Sequence, residues 1–98
     1  MIHVHVTYTF RSAADRDAYY EAICRLHIPE MTRCEKGNYM YDYFLPMGTD
    51  KAIFLLEKWE DAESIAVHTT QPHFLRMGEL KAQYVEKTEI LRFESHAL

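Results

Sequence analysis

An α+β fold of the ferredoxin-like kind, a four-stranded antiparallel sheet with helices on one face, follows from three features of this sequence. Apolar and polar side chains alternate with a period of two in residues 2–10, and two further segments, about 38–45 and 52–59, are largely apolar on both faces, as in buried strands. Apolar spacing of three and four residues marks the stretch after the first strand and the stretch before the last. Serine, aspartate, proline and glycine punctuate the junctions, where helices need caps and the chain needs turns. The resulting order is β-α-β-β-α-α-β.

Residues 2–10 place Ile2, Val4, Val6, Tyr8 and Phe10 on one strand face and His3, His5, Thr7 and Thr9 on the other. Ser12-x-x-Asp15 resembles a capping box and opens a helix. Its stripe runs through Tyr19, Ile23 and Leu26, with Cys24, His27 and Met31 alongside. Pro29 has no N–H and crowds the preceding turn, so it is expected to kink or divide that helix. Glu35-Lys36-Gly37-Asn38 ends it. The second strand, about 38–45, carries Tyr39, Tyr41, Tyr43 and Leu45 on one side and Met40, Asp42 and Phe44 on the other. A turn at 46–50 leads into the third strand, 52–59, with Ala52, Phe54 and Leu56 opposite Ile53, Leu55 and Trp59. Asp61 caps a short helix reaching about His68. Thr70-Gln71-Pro72 starts another that runs to about Gln83, and a last strand covers about 86–94.

With 98 residues the chain is expected to form one domain spanning 1–98. Apolar residues at 48% and charged residues at 27% are ordinary for a globular protein and exclude a disordered one. A net charge of -4 without a run of Lys or Arg argues against nucleic acid as a partner. No segment approaches the roughly 18 apolar residues of a membrane span. The first ten residues alternate like a strand rather than a signal peptide, so a cytoplasmic location is expected. Cys24 and Cys34, largely within one helix, would lie roughly 15 Å apart. A disulfide spans only about 7 Å between Cα atoms, so both are expected to be free thiols. The second and third strands are apolar on both faces, yet the helices can cover only one. Packing the open face against a second copy, a homodimer through the sheet, resolves this.

Chemistry concentrates between Glu57 and Phe74, around one strand-to-helix junction. Glu57 stands mid-strand among apolar neighbours, where burial would raise its pKa and suit it to proton transfer, or where a partner would make it structural. Trp59 would line a pocket or fill the core, with its indole N–H finding a partner. His68 is expected on the inner side of its helix, and His73 in the first turn of the next, where a helix N-terminus favours the neutral imidazole. His5, beside His3 on one strand face, is a further candidate for the pocket, as are His27 near the helix kink and Tyr41 of the tyrosine stripe. No HExxH string and no cysteine with ligand-like spacing is present, so no metal site is expected.

These residues give the chain its resemblance to the antibiotic biosynthesis monooxygenase (ABM) domain family, the dimeric α+β barrels. The matching pieces are Glu57-x-Trp59-x-Asp61, His68, and Gln71-Pro72-His73-Phe74. Upstream, Glu35-Lys36-Gly37-Asn38-Tyr39-x-Tyr41 matches the family's lead into its second strand. The resemblance implies a dimeric barrel with a pocket between sheet and helices in each subunit. It also implies a cofactor-independent monooxygenase that oxidises a quinol or polyphenol-like aromatic with molecular oxygen. In that scheme His68 or His5 takes the substrate's proton and Trp59 orients the ring, while Tyr41, His27, His73 and Glu57 contact the substrate. Two alternatives stay open: a non-oxidative isomerase or lyase on the same barrel, or a small-ligand binding protein without catalysis.

Overall fold

The pleat of the first strand sets the architecture. In the computed structural model, which describes residues 1–96, strand β1 (Ile2–Phe10) pairs antiparallel on both sides. The last two positions of the expected 1–98 domain lie outside the described residues. Chain order continues with α1 (Ala13–Arg25), α2 (Ile28–Arg33), β2 (Asn38–Phe44), β3 (Ala52–Trp59), α3 (Ala62–His68), α4 (Pro72–Tyr84) and β4 (Val85–Glu94). The sheet order is β2-β3-β1-β4, all antiparallel, which is the ferredoxin-like arrangement expected. None of the described helices is long and apolar enough to cross a membrane.

Burial follows the alternation read from the sequence. Ile2, Val4, Val6, Tyr8 and Phe10 are all buried, while the four residues between them are partly exposed. With Tyr41 of β2 and Ile53, Leu55 and Trp59 of β3 they pack against Tyr19 and Ile23 of α1, Ile28 of α2, and Met77 and Leu80 of α4. Each large apolar side chain taken fully out of water contributes about 1.5–3 kcal/mol. The caps hold as well: Ser12 Oγ accepts from the Asp15 backbone N–H at 3.1 Å, and Asp61 Oδ1 from that of Ser64 at 2.8 Å.

One local expectation holds and one does not. The first helix divides before Pro29, at His27, whose φ of 58° is left-handed. Pro29 then falls in the first turn of α2, where its missing N–H costs no helix bond. In β2 the pairing slips, Asn38 opposing Trp59 and Met40 opposing Lys58. Tyr39 is the extra residue of this irregularity and is 61% exposed, so only Tyr41 and Tyr43 of the tyrosine stripe turn inward.

Among the described residues, the outer sheet face has no helix over it. It presents His3, His5, Phe54, Leu56, Leu91 and Phe93, and β4 is exposed along nearly all its length.

Gly37 joins the two halves of the chain. Its φ of 85° suits glycine, and its carbonyl accepts from the Glu60 backbone N–H at 2.7 Å. A Cβ there would overlap the Ser64 side chain. Gly37→Ala is therefore expected to destabilise the protein by about 2–3 kcal/mol, the sum of left-handed strain and a contact that must open. Urea unfolding measures this directly, and an unchanged midpoint would contradict the close approach.

Candidate active site

The β3–α3 junction and the corner between α3 and α4 bring the candidate residues together. His68 ends α3, and the turn after it is closed by bonds from Thr70 N to Val67 O and from Gln71 N to His68 O, at 3.0 and 3.1 Å. Pro72 then starts α4 with His73 in its first turn. This tight corner aims both imidazoles at Glu35, in the turn after α2. His68 Nδ1 lies 2.6 Å and His73 Nε2 2.8 Å from the same oxygen, Glu35 Oε2. A carboxylate accepts and an imidazole N–H donates, so the pairing puts a proton on Nδ1 of His68 and Nε2 of His73. His68 Nε2 is left with its lone pair. The other carboxylate oxygen, Glu35 Oε1, is buried without a hydrogen-bond partner among the described residues.

Aromatic rings surround His68. Trp59 and Phe74 lie 4.8 and 4.9 Å away between ring centroids, and Tyr41 lies 6.1 Å away. Trp59 is fully buried, and its indole N–H donates to Glu57 Oε1 at 2.9 Å, which answers both residues' need for a partner. Tyr41 Oη donates to Met77 Sδ at 3.5 Å and accepts from Tyr43 Oη at 3.4 Å.

The electrostatics follow from this dryness. Burial pulls the His68 imidazole below its ordinary value, against the opposing pull of the Glu35 carboxylate. His68 is thus neutral at pH 7. Burial pushes Glu57 up to about 7, less far than it would without the Trp59 N–H and the charge of Lys81. Lys81, itself lowered by burial, holds its ammonium over the rings of Tyr8 and Phe74 at 5.7 and 5.4 Å.

Of the residues singled out by sequence, His68, Trp59, Glu57, Tyr41 and His73 converge on this corner. His5 and His27 do not. His5 has the opposite strand phase and points to the outer sheet face, edge-on to Phe54 and Phe93 at 5.8 and 5.0 Å. A pocket role for His5 beside His68 is thereby corrected. The side chain of His27 is 76% exposed at the helix break, 3.7 Å from Glu30, and makes no contact with His68, Trp59 or Glu57 among the described residues. Glu35 was missed as a site residue. It stands in the matched string before Gly37, but its partners are 33 and 38 residues away and only the fold unites them.

A large cleft, about 880 Å³, lies elsewhere, between α1 and the β2–β3 side of the sheet, and Tyr20, Cys24, Tyr43, Phe44 and Ile53 help to line it. A smaller hollow of about 470 Å³, lined by Glu30, Met31, Cys34, Glu35, Gln71 and His73, reaches the histidine–carboxylate cluster from outside.

The raised pKa of Glu57 makes a stability prediction. In the unfolded chain its carboxyl ionises near 4.5, in the folded protein near 7. Its contribution is therefore complete below pH 4.5 and lost as pH rises through 7, on the order of 3 kcal/mol in all. Glu57→Gln can still accept from Trp59 but does not titrate. Urea unfolding at pH 4.5 and 8 is expected to show the wild type losing about that much more stability than the variant across this range. Equal losses would mean that Glu57 ionises normally.

Comparison with known proteins fits this geometry. The sequence model of the family described as "Antibiotic biosynthesis monooxygenase" matches residues 1–80. "Putative monooxygenase YcnE" of Bacillus subtilis is 37% identical over 43 residues, 44% of this chain and 45% of that protein. The match thus spans less than half the length of that curated relative. Among solved structures, a "putative antibiotic biosynthesis monooxygenase" from Deinococcus radiodurans superposes with a TM-score of 0.87 at 19% identity, covering 100% of this chain and 95% of that one. PA3566 from Pseudomonas aeruginosa gives 0.83 at 20% identity, over 98% and 94% of the two chains. At such identities the structures speak for the shared fold, and the sequence match over most of the chain speaks for kinship. The chain belongs to the antibiotic biosynthesis monooxygenase family.

Proposed function

We propose that this protein is a cofactor-independent monooxygenase that oxidises an electron-rich phenol, of the quinol or polyphenol class, with molecular oxygen. The observation that carries this reading is the Glu35–His68 pair. Glu35 holds Nδ1–H at 2.6 Å, which leaves Nε2 of a neutral imidazole as a proton acceptor inside a wall of Trp59, Phe74 and Tyr41. His68 is only 4% exposed, so a substrate ring reaches it only when the side chains packed around it give way.

The chemistry needs little else. His68 takes the phenolic proton, and the phenolate passes one electron to O2. The caged radicals join at a ring carbon bearing hydrogen, forming a peroxide anion. Loss of that hydrogen with O–O cleavage leaves a carbonyl and hydroxide, which recovers the proton from His68 as water. One oxygen atom enters the quinone product and the other leaves as water. A dry site keeps the radical pair from solvent.

A second reading, ligand binding without chemistry, has its own support in the 880 Å³ cleft. The residues lining it include no histidine, and its aromatic and aliphatic side chains, rimmed by Arg16, Asp17, Glu21 and Arg25, suit a flat ligand with a polar edge. The homodimer belongs to the same proposal. Phe54, Leu56, Leu91 and Phe93 form an outer sheet surface that a second copy would cover.

Two experiments test these readings. Chelator-treated protein is expected to consume oxygen with reduced quinols or polyphenols, and His68→Ala to lower kcat by about 100-fold or more, the usual loss for a general base. Uptake unchanged in His68→Ala would remove the histidine mechanism, and no uptake over a broad panel would favour binding. Sedimentation equilibrium is expected to give twice the 11.6 kDa of one chain, falling to one when Leu91→Lys and Phe93→Asp are combined. A monomeric wild type at tens of micromolar would refute the dimer.

A further inference from the structure

The cluster of Glu35, His68 and His73 holds a contradiction that a proton relay does not explain. One carboxylate oxygen, Oε2, serves both imidazoles, at 2.6 and 2.8 Å. Its twin, Oε1, is buried and accepts nothing among the described residues. The Glu35 side chain is nine-tenths buried, and among the described residues no lysine or arginine comes within salt-bridge distance of it. An anionic oxygen withdrawn from water without a donor is costly, more so than a neutral one. Such a site is short of positive charge.

We propose that Glu35, His68 and His73 form a binding site for a divalent transition-metal ion of the zinc class, whose binding moves the His68 ring proton from Nδ1 to Nε2. Two imidazoles and a carboxylate are the donor set that such ions select over magnesium or calcium. The three ligand atoms lie within 4.8 Å of one another. Bonds of about 2.0–2.1 Å need them about 3.3 Å apart, so the set closes by small side-chain rotations. Either carboxylate oxygen can serve, and the unpartnered Oε1 is free to do so. The ion has a way in, because Glu35 and His73 both line the 470 Å³ hollow at the surface.

Coordination at His68 Nδ1 has a definite consequence. A neutral imidazole carries one ring proton, and a metal on Nδ1 obliges that proton to sit on Nε2. The lone pair offered in the metal-free protein becomes an N–H donor. The metal would therefore silence His68 as a proton acceptor, a consequence that rests on the oxygenase reading, whereas the site itself does not.

Binding is tested without substrate, which keeps the two ideas separable. Chelator-treated protein titrated with Co2+ is expected to develop visible d–d bands typical of low coordination number, saturating at one ion per chain and displaced by Zn2+. His73→Ala is expected to weaken binding by about 100-fold or more, as loss of one of three ligands should. His73 is more exposed than His68 and lines the surface hollow, and an unchanged urea midpoint in chelator would show that this variant folds. Glu35→Gln should bind more weakly too. In 15N-imidazole NMR spectra the His68 proton is expected on Nδ1 in chelator and on Nε2 with Zn2+. A Co2+ spectrum like that of the free aqueous ion, equal affinity in His73→Ala, or a proton that stays on Nδ1 at saturating Zn2+ would each overturn the proposal. None of these outcomes would alter the effect of His68→Ala on oxygen uptake.

Discussion

Every side chain in this protein is sorted by the pleat of β1. Because β1 lies between β3 and β4, its alternation propagates through both registers to the rest of the sheet. Glu57 opposes Val4 on one side and Tyr41 on the other, and all three face the helices. His5 opposes Leu56 and Leu91 and faces away. A one-residue slip would exchange these sets entirely, carrying Trp59 to the surface and His5 to the core. The inward face therefore fixes the register, since only one phase buries the apolar set.

Within that apolar interior the protein keeps four groups that would rather be in water. Glu57, Glu35, His68 and Lys81 are each held by different means. Glu57 has the Trp59 indole N–H at 2.9 Å, while Lys81 spreads its charge over two rings. Glu35 and His68 have one another, with His73 sharing the same oxygen. Buried ionisable groups of this kind weaken a fold relative to an apolar core and are kept where they do chemistry. Their concentration at one corner, with the outer hollow opening on Glu35 and His73, sets that corner apart from the cleft beside α1.

The glycine turn ties this corner to the sheet. The bond from the Glu60 N–H to the Gly37 carbonyl clamps the lead into β2 onto the start of α3, and Glu35 stands two residues before that clamp. The carboxylate thus reaches across from one half of the chain to two histidines in the other. Loss of the close approach at Gly37 would be felt as loss of Glu35 alignment as well as of stability.

The sequence by itself determined the elements, their order and the two faces of the first strand, because periods of two and of three to four are local properties of the chain. Ile2 through Phe10 is legible without any partner. So are the caps at Ser12 and Asp61, whose bonds span three residues. It also marked the corner through Trp59, His68 and His73, which lie close in sequence. Tertiary structure decided the rest. Only pairing across the sheet shows the slip at Tyr39, and only the phase of β1 removes His5 from the site. Only a contact between residues 33 and 38 positions apart makes Glu35 a partner of two histidines. Propensity and patterning act over a few residues, whereas a charged oxygen in the core finds its donors wherever the whole fold delivers them.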